Sequence, residues 1–146
     1  MAVFLLLQLP MKITYTESLN TFTADRMHGF FVGWPNPPSP QKLFKTLANS
    51  SHIILAVDAD TDHVVGFINA ISDKSLCAYI PLLEVLPNYQ KTGIGSELVK
   101  RMLHQLKDYY MVDLSCDENM VGFYGRFDMT SSTSMIIRHY SNQSGF

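Results

Sequence analysis

The stretch Leu82–Leu103, LLEVLPNYQKTGIGSELVKRML, constrains this chain more than any other because its structural period changes in the middle. It opens as a strand-like apolar run, and Pro87, Gly93 and Gly95 interrupt it. From there apolar residues recur at Ile94, Leu98, Val99, Met102, Leu103 and Leu106. That spacing marks one face of a helix, with Glu97, Lys100, Arg101, His104 and Gln105 on the other. Such a helix packs one side on a sheet and points its N-terminus at the preceding loop. A helix N-terminus carries unpaired N–H groups and partial positive charge, so QKTGIGS (Gln90–Ser96) can hold phosphate oxygens. Gly93 and Gly95 permit close approach of the main chain, Lys91 adds a cation, and Thr92 and Ser96 add hydroxyls. The same glycines also suit an ordinary tight turn. A dinucleotide fingerprint fails, because Leu98 stands where its third glycine is required.

The rest of the chain supplies a sheet for that helix. MKITYT (Met11–Thr16) alternates like a first strand. TFTADRMHGFFVGW then predicts a helix, with Thr21 or Thr23 as cap and Met27, Phe30 and Phe31 on its apolar face. Four prolines in GWPNPPSP break it into a stiff extended loop, and Ser39 with Pro40 opens a second short helix. Ile53–Val57 and His63–Ile71 read as a hairpin, LCAYIPLLEV as a third strand and YMVDLSC as a strand after the main helix. A short helix around Asn119–Arg126 and a final strand in SMIIRHY complete the order β-α-α-β-β-β-α-β-α-β. One domain over 11–146 is expected, with residues 1–10 as an N-terminal extension or leader.

Several function classes fall away. With 146 residues, 16% charged and net charge -2, neither disorder nor a nucleic-acid surface is indicated. The opening MAVFLLLQLP lacks a basic region and a cleavage site and is too short to span a bilayer. No membrane partner is expected. Cys77 and Cys116 are read as reduced, mostly buried thiols of a cytoplasmic protein. Asp58, Asp60 and Asp62 imitate a calcium loop, but His63 and Asn69 stand where glycine and glutamate are needed. The five histidines show no ligand spacing, so no metal is expected. Neither GxSxG nor GxxxxGK[ST] is present.

LEVLPNYQKTGIG matches an apolar strand followed by [QR]-x-x-G-x-[GA], and NMVGFYGRFDM matches a helix containing Phe-Tyr before a loop. In these two motifs and in its element order the chain resembles the GNAT superfamily of acetyl-CoA-dependent N-acyltransferases, over about Met11 to Tyr140. The resemblance implies an α+β fold with a mixed, mostly antiparallel sheet splayed at the acetyl-CoA site and flanked by helices. It implies that the backbone from Gln90 through Lys91, Thr92, Gly93, Ile94 and Gly95 to Ser96 cradles the pyrophosphate of acetyl-CoA. The pantetheine arm would pair with the strand at Leu83–Val85, the N–H of Val85 would polarise the thioester carbonyl, and Asn119 would contact the arm or simply cap its helix.

By the same resemblance Tyr124 protonates the departing thiolate; otherwise it is a core aromatic. Amines are mostly protonated at neutral pH, so a base is needed. Glu84, the lone carboxylate in IPLLEVL, is the candidate, unless it lies on the solvent face. The acceptor is expected between the first two helices and the splayed strands, against Phe30, Phe31, Trp34 and Tyr79, although these aromatics equally suit a core. The chain departs from the family at Lys91, Thr92 and Asp128, the last at a turn that favours positive φ. The expected activity is acetylation of a primary amine on a small molecule. Alternatives are a protein or peptide N-acetyltransferase and a non-catalytic acetyl-CoA-binding regulator. A homodimer is the family's habit.

Overall fold

The computed structural model describes residues 10–146. Nearly all of the expected extension, residues 1–10, therefore lies outside the described residues. Five strands form one sheet in sequence order: β1 (Ile13–Thr16), β2 (His52–Asp58), β3 (His63–Ser72), β4 (Cys77–Val85) and β5 (Met111–Asp113). The first four are antiparallel neighbours, and β5 alone runs parallel to β4. The parallel step needs a crossover, which the long helix α2 (Ile94–Gln105) provides. Among the described residues, no helix is long and apolar enough to cross a membrane.

Alternation along the strands separates two cores. On one side Ile54, Ala56, Val65 and Ile68 meet Ile94, Leu98, Val99 and Met102 of α2, the stripe expected from the sequence. Gly66 lets α2 come this close, since a Cβ there would stand 3.2 Å from Leu98 and 3.3 Å from Ile94. On the other side Leu55, Val57, Val64 and Phe67 meet Leu43 and Leu47 of helix α1 (Pro40–Ala48). Ser39 caps α1 through the Lys42 N–H, with Pro40 at the first position, as expected.

Two expected elements do not form. The helix over Thr21–Phe31 shrinks to a single 3-10 turn, Ala24–Arg26. Its apolar residues are nevertheless buried: Met27, Phe30 and Phe31 all enter the α1-side core. They reach it through a loop with positive φ at Gly29, Phe31 and Gly33, so tertiary packing replaces the helical ladder. The final strand, SMIIRHY, is also missing. From Thr130 to His139 the chain is extended without ladder bonds, and Met135 and Ile137 are exposed. This segment, an arch, follows a local turn and is tied to a distant part of the chain past its C-terminal end. Asp128 N–H donates to the Gly125 carbonyl at the start, and Gln143 Oε1 accepts from the Asn36 N–H beyond the end.

Candidate functional site

Strand β4 carries the site because it loses a neighbour halfway along. It pairs with β5 through Cys77–Met111, Ala78–Val112 and Tyr79–Asp113, where β5 ends. It pairs with β3 out to Val85–Gly66, so Ile80–Val85 has no strand beside it on the β5 side. The register with β3 slips opposite Ile80 and Pro81, and Pro81 brings no N–H to a ladder at that irregularity. The sheet is therefore forked, with an open backbone edge along Leu83–Val85.

At the wide end of the fork lies the glycine loop. Gly93 takes φ 90° and caps α2 without a side-chain bond, and Lys91 sits at φ 60°. The positive φ at Lys91 explains why a small residue or glycine suits this position. Among the described residues the N–H groups of Lys91, Thr92 and Gly93 make no hydrogen bond to the protein, and those of Ile94, Gly95 and Ser96 open the helix. They form a ready anion cradle. The Thr92 hydroxyl is spent on the Tyr89 carbonyl, and Gln90 Nε2 donates to the Val85 carbonyl at 2.9 Å, tying loop to strand. Reading the sequence missed Arg126. Its Nη2 donates to Ser96 Oγ at 3.1 Å while its guanidinium lies over Phe123 and Phe127. A second cation thus stands at the α2 N-terminus. The signal was its position two residues after Tyr124 in the second motif.

Tyr124 sits in the short helix α3 (Val121–Gly125), packed with Phe123 against the α2-side core. Burial, with a smaller contribution from Cys116, pushes its hydroxyl up to about 12, so it keeps its proton at neutral pH. It lines an open cavity of about 780 Å³ that also touches Tyr79, Asp113 and Cys116 and is flanked by the Thr130–Arg138 arch. Cys116 is exposed rather than buried, a correction to the expectation from composition. Asn119 lies exposed inside a 3-10 turn capped by Asp117, so it does not cap a helix. Asp128 at the arch's foot takes φ 62°, the positive φ its turn favours.

Glu84 faces away from α2, paired across the ladder with Phe67. It does not line the Tyr124 cavity. Its carboxylate accepts the Phe31 N–H at 2.7 and 2.9 Å and the Val32 N–H at 3.3 Å, gripping the loop that replaced the expected helix. Burial raises its pKa above the ordinary carboxylate range, and these N–H bonds partly offset the rise. Of the aromatics expected to meet an acceptor, Phe30 and Phe31 are core residues at 9% and 6% exposure. Trp34 lies tilted against Phe31 at the surface, and of these four only Tyr79 reaches the cavity. The aspartates of the calcium-like turn are engaged elsewhere: Asp58 accepts the Tyr89 hydroxyl at 2.7 Å and Asp62 pairs with Arg26.

A forked sheet with an anion cradle at the helix beside it and a protonated tyrosine in a cavity at its narrow end defines an acyl-CoA-type acetyltransferase fold. The comparisons name the family: residues 19–129 match the model of the acetyltransferase (GNAT) family, and the chain belongs to it. A crystal structure from Deinococcus radiodurans R1, provisionally named an acetyltransferase, superposes with a TM-score of 0.89. It is 45% identical, covering 92% of this chain and 93% of that one. A GNAT-family acetyltransferase of Streptococcus pneumoniae TIGR4 gives 0.71 at 34% identity, covering 88% and 98%. GCN5-related N-acetyltransferase 2, chloroplastic, of Arabidopsis thaliana is 30% identical over 113 residues, covering 64% of this chain and 43% of that protein. The chain spans about half the length of the first curated relatives it matches.

Proposed function

We propose that the chain transfers the acetyl group of acetyl-CoA to a primary amine of a small molecule by direct attack. One observation carries this reading: the cavity reaches Tyr124 and the narrow end of the fork, with the anion cradle at the wide end. The N–H groups of Lys91–Ser96, with Lys91 and Arg126 beside them, suit the pyrophosphate, and the open edge at Leu83–Val85 suits an amide-bearing arm. Bound acetyl-CoA supplies a thioester, whose carbon–sulfur bond breaks as the carbon–nitrogen bond forms. Tyr124 donates the proton that the departing sulfur takes up. Glu84 lies outside the Tyr124 cavity and takes the amine's proton through a chain of waters, its Phe31 and Val32 bonds leaving part of its acceptor capacity free.

The arch favours a small acceptor over a protein chain, which needs an open groove. Presence of both Tyr124 and Glu84 favours catalysis over mere cofactor sensing. The test is thiol release from acetyl-CoA in the presence of amines, comparing wild type with Tyr124→Phe. Loss of a general acid should lower kcat by about 100-fold while the KM for acetyl-CoA stays close to wild type. Unchanged kcat removes Tyr124 from the mechanism.

A further inference from the structure

The chemistry of the cavity differs from the aromatic wall expected for the acceptor. Tyr79 and Asp113 form the last rung between β4 and β5. Their neighbours Ala78, Ile80 and Val112 belong to the α2-side core, so Tyr79 and Asp113 face the opposite side. Tyr124 packs from the α2 side, and one cavity touches all three. It therefore touches residues of both faces where β5 ends, although none of the open edge Ile80–Val85 lines it, and a molecule bound there lies beside Tyr124.

The walls are mixed, with Val112, Leu114, Val121 and Met129 beside a polar set that can select among amines. Asp113 and Asp128 both line the cavity, and among the described residues neither forms an ion pair. The arch adds five consecutive hydroxyl residues, Thr130–Ser134. Phe30 and Phe31, locked against Phe67, cannot supply an apolar wall here. Thr130–Arg138 of the arch flanks the cavity, and the Asn36–Gln143 bond ties the chain down beyond it.

Building on the N-acetyltransferase reading, we infer that the acceptor is a small hydroxylated amine, an amino alcohol or amino sugar, bound in this cavity. Its ammonium lies against Asp113 beside Tyr124, and its hydroxyls face Thr130–Ser134. The carboxylate holds the cation until its proton is removed, and the hydroxyl run replaces the water that a polyol surrenders.

The experiment measures thiol release by the full chain with acetyl-CoA and glucosamine, ethanolamine, tyramine, spermidine or a lysine-containing peptide, alongside calorimetric binding of acetyl-CoA. Glucosamine or ethanolamine should exceed tyramine in kcat/KM by at least about tenfold, the value of one good polar contact. Asp113→Asn should raise the KM of the preferred amine about tenfold and leave the acetyl-CoA KM unchanged. Asp128→Asn, whose side chain tolerates positive φ, provides a second variant should Asp113→Asn fail to fold, and should also raise the amine KM. Preference for tyramine, spermidine or the peptide overturns the inference. So does an unchanged amine KM in the folded variants; no turnover with any amine while acetyl-CoA binds overturns the underlying reading as well. Failure of acetyl-CoA to bind overturns the underlying reading, and this inference with it.

Discussion

Replacing Glu84 with alanine should release the loop that packs Phe30 and Phe31. Phe31 is held at φ 62°, a conformation that costs a bulky side chain about 1–2 kcal/mol. The carboxylate opposes that cost with N–H bonds of 2.7 and 2.9 Å from Phe31 and 3.3 Å from Val32. A hydrogen bond to an ionised group contributes about 1.5–3 kcal/mol. Once the carboxylate is gone, the Phe31 N–H, in a residue only 6% exposed, has no acceptor, a penalty of about 1–3 kcal/mol. Val32 is exposed, so water takes its N–H without comparable loss. The expected outcome in urea unfolding is a loss of about 2–3 kcal/mol at unchanged m, with the Phe31 amide losing protection from hydrogen exchange. A loss under about 0.5 kcal/mol with that amide still protected would refute the reasoning.

The pH dependence separates this structural role from the chemical one. Because the folded-state pKa of Glu84 lies above its unfolded value, folding favours its protonated form. Its proton-linked stabilisation is full below the ordinary carboxylate range and is lost as pH rises through the raised value. Glu84→Gln should abolish that slope while retaining one acceptor for the Phe31 N–H. If Glu84 is the base, the same variant loses turnover at neutral pH and partly recovers it at alkaline pH, where free amine accumulates. Turnover unchanged at every pH assigns the residue to the loop alone.

Asp73 should govern acid sensitivity at the β3–β4 turn. Its Oδ1 accepts the N–H groups of Ser75, Leu76 and Cys77, first among them Cys77 in effect, which lowers its pKa to about 2. Stability from this lowered pKa is present above the ordinary aspartate range and lost as pH falls toward 2; thermal melts of Asp73→Asn should show a smaller loss over that window. Gly66→Ala should destabilise by about 1–3 kcal/mol in urea, since the new Cβ would press on Leu98, Ile94 and the Glu84 carbonyl. A neutral result would mean that α2 can move off the sheet without cost.

Legibility followed the range of the interactions involved. The α2 stripe and the β2–β3 hairpin were readable because local pattern and tertiary environment agree. So was the loop, whose positive φ at Gly93 needs glycine. The helix expected over Thr21–Phe31 failed because burial of Met27, Phe30 and Phe31 was correctly anticipated, but the device that buries them was not. That device includes a bond from Phe31 to Glu84, a residue 53 positions away. SMIIRHY has strand composition, yet β5 is only three residues long and forms no ladder with it. Strand propensity without a partner edge does not make a strand. Arg126 escaped notice because its significance lies in one distant contact, with Ser96 thirty positions away, while its local stacking on Phe123 and Phe127 aims it there.

The sheet separates its two cores almost completely, with Leu86 packing against both. Changes buried on opposite sides, such as at Leu43 and Leu98, fall in different clusters and should combine additively. For a gene copy free to drift, substitutions under α1 can accumulate without eroding the packing that holds α2 on the sheet. A lineage built on this sheet can explore new partners one face at a time.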